Sequence, residues 1–160
     1  SEGDVQIIRA GNGISHAEEI DNHSEIFQIW FDPDLSKSLN NEATYDDYKS
    51  SEFPTVALEN MTKKIIKGSN SPMKMDTQDV LINEYNFGVG DHSIKIEMNF
   101  IHSLFVVSGS LVYNSYTIEN GTFMKITDIA GINFSAVEPV KIFEIISPKT
   151  PNYKTYSQMR

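Results

Sequence analysis

The sequence contains no cysteine, which excludes a disulfide framework, a thiolate metal site and a cysteine nucleophile. It is short of positive charge: 13 Lys and Arg stand against 22 Asp and Glu, a net charge of −9. Such a surface repels phosphate and anionic headgroups, so neither nucleic acid nor a membrane surface is expected as the main partner. No apolar run approaches the ~20 residues of a membrane-spanning helix, and no secretory-type segment opens the chain. Together with the missing cysteines, this makes a cytoplasmic protein the expectation. Helical periodicity is missing too, since no segment sustains it over about ten residues. There is no G-x-S-x-G elbow, phosphate loop, dinucleotide fingerprint or HExxH pair. The adjacent acids Glu18-Glu19 and Asp46-Asp47 would point to opposite faces of a strand, which is wrong for an acid–base dyad.

What is present suits a packed β domain. Of 160 residues, 39% are apolar and 11% aromatic, enough for a core in one domain. Short β-leaning runs begin at Val5–Ile8 and Ile14–Glu18. Ser24–Phe31, rich in aromatic and branched residues, is the strongest strand signal of the first quarter, and Pro33 follows it. Residues 34–54 are polar with isolated aromatics and read as a long connecting loop, with room for one helical turn. From Pro54 strands are expected at 55–59, 63–67, 79–86, 93–98, 103–107, 110–117, 123–127, 132–135 and 140–146. Turn residues punctuate them. This spacing predicts a sandwich or barrel, followed by a polar arm at 149–160 that carries Tyr153 and Tyr156.

Two motifs then carry a resemblance. The stretch Gly3-Asp4-Val5-Gln6 through Ala10-Gly11-Asn12-Gly13-Ile14-Ser15-His16-Ala17-Glu18 matches GDVQ followed by AG-x-GI-x-H-x-E. Phe27-Gln28-Ile29-Trp30-Phe31-Asp32-Pro33 is similar to a later LQIW-and-proline signature. In this order and spacing the sequence resembles the pirin-type bicupins over about 35 residues. The resemblance implies an all-β, cupin-like (double-stranded β-helix, jelly-roll) fold. Residues 1–32 would be the last strands of a partial first barrel, 33–54 a linker, 55–148 a second barrel and 149–160 an arm.

The resemblance also implies a mononuclear non-haem metal, Fe(II) or another divalent ion, and a quercetin 2,3-dioxygenase-type activity in the intact family. Of four expected ligands, His16 and Glu18 match the second pair, with Glu18 also the only candidate base. The first pair, in an HPH-type segment, has no counterpart in this sequence. The alternative is a non-catalytic binding or regulatory module. The residues themselves add that positions i and i+2 of a strand share a face, so His16 and Glu18 would point the same way. Imidazole plus carboxylate suits such an ion. Glu19, Asp21 and His23 are neighbours able to orient His16, and Gly11 and Gly13 allow a tight turn beside it. Trp30 is expected in the core, with substrate stacking as the alternative. A third of a barrel leaves open strand edges, so a preceding segment, a second copy or strand exchange is expected to cover them.

Against the general cupin pattern, Phe105–Ser110 matches the end of the first motif, with Gly109 as its final glycine. His102 then falls where a glutamate ligand would stand. Positions 96–98 hold no histidine, and none follows Gly121. The second barrel is therefore expected to be metal-free, with His92 and His102 structural. Phe100, Phe105, Tyr113, Tyr116, Phe123 and Phe134 are candidates to line a pocket for a small aromatic ligand.

Overall fold

The computed structural model describes residues 1–159. The alternation read from 55 onward becomes ten strands: β3 Thr55–Leu58, β4 Met61–Lys67, β5 Leu81–Phe87, β6 Gly90–Lys95, β7 Phe100–Ser108, β8 Ser110–Tyr113, β9 Tyr116–Glu119, β10 Phe123–Ile126, β11 Gly131–Ala136 and β12 Val140–Pro148. They form a six-stranded sheet, β10-β7-β12-β5-β4-β3, and a four-stranded sheet, β6-β11-β8-β9. The ladders are antiparallel.

The period of two sorts side chains between two cores. On β12, Val140, Ile142, Glu144 and Ile146 are buried, and Val140 and Ile142 join Leu104, Val106 and Phe87 in the inner core. Ile94, Leu111, Ile132 and Phe134 of the four-stranded sheet meet them there, with Phe87 edge-on to Phe134 at 5.1 Å. The opposite phase of β12, Phe143 and Ile145, belongs to a second core on the sheet's outer face, built on Phe53, Ile66, Met73, Val80 and Ile82. Each fully buried large apolar side chain contributes about 1.5–3 kcal/mol.

The outer core is covered by a small hairpin-like sheet. β1, Val5–Arg9, pairs with β2, Thr44–Tyr48, in the register Val5↔Tyr48 to Arg9↔Thr44. Val5, Ile7 and Tyr48 pack onto the outer core. The connection predicted at 34–54 thus contains a strand that its polar sequence Thr-Tyr-Asp-Asp-Tyr conceals, and two short helical turns rather than one: α1 Leu35–Ser38, capped by Asp34, and a 3-10 turn at Ser50–Glu52. The single strand expected at 110–117 is instead the hairpin β8–β9, bent where Asn114 and Ser115 adopt φ of 48° and 67°.

The expected strands at 14–18 and 24–31 do not form; within residues 1–32 only β1 is a strand. The physical reason is position. Phe27 stacks on Phe105 at 4.9 Å and meets Phe143 edge-on at 5.2 Å, so its segment lies across the outer face of the six-stranded sheet. A chain lying on a sheet's face finds no free backbone partners for a ladder. The C-terminal arm returns to the same region: the Tyr153 hydroxyl donates to the Asp32 carbonyl at 2.9 Å and the Tyr156 N–H donates to the Asp32 carboxylate at 2.6 Å. Among the described residues no helix is long and apolar enough to cross a membrane.

Candidate functional site

His16 and Glu18 both lie on the irregular, exposed stretch that follows β1. The turn that launches it is firmly built. The Asn12 N–H donates to the Asn41 carbonyl at 2.9 Å and the Gly13 N–H to the Ala10 carbonyl at 2.8 Å. Gly11 has φ of +53°, and a Cβ there would overlap the Asn41 carbonyl oxygen. Beyond the turn the support ends: neither His16 nor Glu18 makes a hydrogen bond or ion pair among the described residues. Because the segment is not a strand, the shared face expected of positions i and i+2 is not imposed. Imidazole and carboxylate are the right donor types for a non-haem ion. Yet the described residues contain no group of three or more His, Asp or Glu able to hold a metal. On their own, these two side chains do not fit a tightly held ion.

Trp30, expected in the core, is 87% exposed. The six aromatics proposed to line one pocket do not come together: Phe134 is in the inner core, Phe105 meets Phe27 on the outer face, and Tyr116 and Phe123 are exposed.

The barrel interior instead holds a polar cluster that the sequence reading did not assemble. Glu144, His102, Asn83 and Tyr85 are all buried. His102 Nδ1 stands 2.8 Å from Glu144 Oε1. Asn83 Nδ2 and the Tyr85 hydroxyl each donate to Glu144 Oε2 at 2.8 Å. The Glu97 backbone N–H donates to His102 Nε2 at 3.0 Å. An Nε2 that accepts has no proton, so Nδ1 carries it and donates to Glu144. Burial pushes the Glu144 carboxyl upward, but the hydrogen bonds from His102, Asn83 and Tyr85 outweigh it and hold the group below the usual carboxylate value. Burial, and next the Glu144 charge, push the Tyr85 phenol up.

This cluster resembles a catalytic histidine–carboxylate pair in composition only. The nitrogen that would activate a nucleophile or bind a metal is occupied by a main-chain N–H. His92 is committed in a similar way: its Nε2 lies 2.7 Å from the Gly88 carbonyl and its ring packs on Phe87 at 4.8 Å. Both histidines of the barrel thus have structural partners, the role expected of them.

No family model matches the chain, and no curated protein matches it in sequence. Solved structures do. The chain is similar to a quercetin 2,3-dioxygenase from Acinetobacter baumannii, with a TM-score of 0.60 and 15% identity over 71% of this chain and 42% of that one. It is also similar to GK1651 from Geobacillus kaustophilus, with a TM-score of 0.58 and 18% identity over 72% of this chain and 52% of that one. The matched region spans about half of those chains or less. At these identities the likeness shows the fold alone, an all-β, cupin-like jelly-roll barrel.

Proposed function

We propose that this chain is part of a pirin-like cupin metalloprotein in which the 55–148 barrel is a metal-free support. In this reading His16 and Glu18 supply two ligands of a mononuclear non-haem site, Fe(II) or another divalent ion, completed by donors outside the described residues. The intact protein then has quercetin 2,3-dioxygenase-type activity. The observation that carries the proposal is the state of His16 and Glu18: two donors of the right kind, two residues apart, both exposed and neither in a hydrogen bond or ion pair among the described residues, beyond a hydrogen-bonded glycine turn. The motif around them and the likeness to a quercetin 2,3-dioxygenase support it.

Native mass spectrometry under anaerobic Fe(II), with flavonol turnover measured in parallel, tests this. The chain alone is expected to retain metal weakly and turn nothing over. Together with a polypeptide supplying a histidine pair, it is expected to retain one ion and consume quercetin. His16→Ala and Glu18→Ala should each abolish both. Retention and turnover that ignore these substitutions would overturn the reading.

A second reading, a non-catalytic binding or regulatory module, is favoured by one specific observation: the barrel's buried histidine is closed off by the Glu97 N–H. It gains if no metal-retaining complex forms.

A further inference from the structure

Four strands end the two larger sheets: β10 and β3 on one, β6 and β9 on the other. An open edge presents unpaired N–H and C=O groups, and a charge on it discourages another chain from pairing there. β10 carries Lys125, β6 carries Asp91 and Lys95, and β9 carries Glu119. β3 carries no charge. Its sequence Thr55-Val56-Ala57-Leu58 is exposed at every residue, on a chain whose net charge is −9. Val56 is 45% and Leu58 60% exposed. Val89, also exposed, stands beside the β3–β4 turn, where Asn60 Nδ2 donates to its carbonyl at 2.7 Å.

The ladder fixes which backbone groups are open. The Ile65 N–H donates to the Pro54 carbonyl at 2.8 Å. Antiparallel pairs alternate between bonded and non-bonded. Val56 opposite Lys63 and Leu58 opposite Met61 therefore bond to β4, and Thr55 and Ala57 turn their N–H and C=O outward. Among the described residues, no other strand pairs with 55–58.

This edge is complementary to itself. A two-fold axis through Ala57, perpendicular to the sheet, sets Ala57 against Ala57 of a second copy as a pair that exchanges both bonds. Val56 then faces Leu58 of the second copy, and the reverse. Both lie on the face where Met61 of β4 packs against the inner core. Thr55 faces Glu59 of the second copy. The two Glu59 residues stay about four residues, ~13 Å, apart along the strands, beyond the screening length of about 8 Å at physiological salt. At the other three edges a copy would bring its own charges close. The contact closes on itself, so it ends at two copies.

We propose that two copies of this chain pair along β3, antiparallel about Ala57, and join their six-stranded sheets into one. The pairing uses neither His16 nor Glu18 and stands whatever their role. A ladder this short falls at the small end of specific interfaces, so a dissociation constant between about 10 μM and 1 mM is expected.

Sedimentation equilibrium of the full chain across that range should show a monomer passing to a dimer and no larger species. Ala57→Pro removes the outward N–H, is tolerated on an edge strand and should leave only monomer, with the amide protection of β7 and β12 kept. Cross-linking reads the register without relying on that variant. The chain has no cysteine of its own, and Ala57→Cys places two thiols on directly opposed residues about 5.5 Å apart at Cα, within disulfide reach. Under mild oxidation it should dimerise covalently at least about ten-fold faster than Thr55→Cys, whose two copies lie too far apart to bridge. Three results would overturn the proposal: a monomer at every concentration, as for an edge that only a different polypeptide fills; self-association that Ala57→Pro leaves unchanged; or equal cross-linking from the two cysteine variants.

Discussion

His102 and Glu144 face each other at 2.8 Å in the barrel interior, each side chain about 1% exposed. The histidine's Nε2 accepts the main-chain N–H of Glu97, and the carboxylate accepts from three side chains. A charge this deeply buried is tolerated only because its partners replace the lost water.

Removing one partner is therefore expensive. His102→Ala leaves the Glu144 charge short of a donor and the Glu97 N–H without an acceptor. A loss of about 3–5 kcal/mol is expected, read from urea unfolding midpoints. A loss below about 1 kcal/mol would show that the cluster is not satisfied as described.

Acid should expose the same dependence. The folded-state value of Glu144 lies below its ordinary 4.5. Its contribution is complete above that ordinary value and is lost as pH falls through the depressed one. Unfolding free energies taken between about pH 6 and pH 2 should decline on the acid side, and Glu144→Gln should flatten the decline. An identical acid limb in that variant would assign the effect to other carboxylates.

Phe27 is the anchor of residues 14–30 on the barrel. Phe27→Ala should cost about 0.5–1.5 kcal/mol of aromatic pairing together with its burial term. Proteolysis should then accelerate within 14–30 while the barrel ladders keep their hydrogen-exchange protection. Trp30, the only tryptophan and 87% exposed, should be freely quenched by iodide in this chain. It should become shielded in any complex that covers this segment.

Gly109 has φ of +77°, and a Cβ there would overlap the Pro139 carbonyl oxygen. Gly109→Ala is expected to destabilise by about 1–3 kcal/mol, with thermal unfolding as the readout. In contrast, His16→Ala and Glu18→Ala should leave the stability of this chain within about 0.5 kcal/mol, because nothing depends on their side chains for packing.

The strands of the barrel were legible because alternation and turn residues agreed along 55–148. Ser24–Phe31 misled because its composition reports apolar contact, not backbone pairing. Phe27 obtains that contact by lying on a sheet rather than joining one. β2 escaped because a strand whose Tyr45, Asp46 and Asp47 are exposed carries no alternation. The polar cluster was half visible: His102 was placed, but its partner was not. The signal was there in phase, since Glu144 occupies an inward position between Ile142 and Ile146, and Asn83 and Tyr85 occupy inward positions of the neighbouring strand β5.

The outer layer over the six-stranded sheet is stitched by contacts between distant parts of the chain. Lys141 reaches Glu2 across 139 positions, Tyr153 reaches Asp32 across 121, and Tyr156 reaches the same aspartate across 124. Closing loops of that length before the barrel exists is entropically unfavourable. The expected order of assembly is that the barrel forms first as the platform and the two ends of the chain settle on it last, a sequence that pulsed hydrogen exchange during refolding would read. On the way out of the native state that cover is expected to lift first, which would open the outer face of the jelly roll, where Val5, Ile7 and Tyr48 now pack, to whatever else is present.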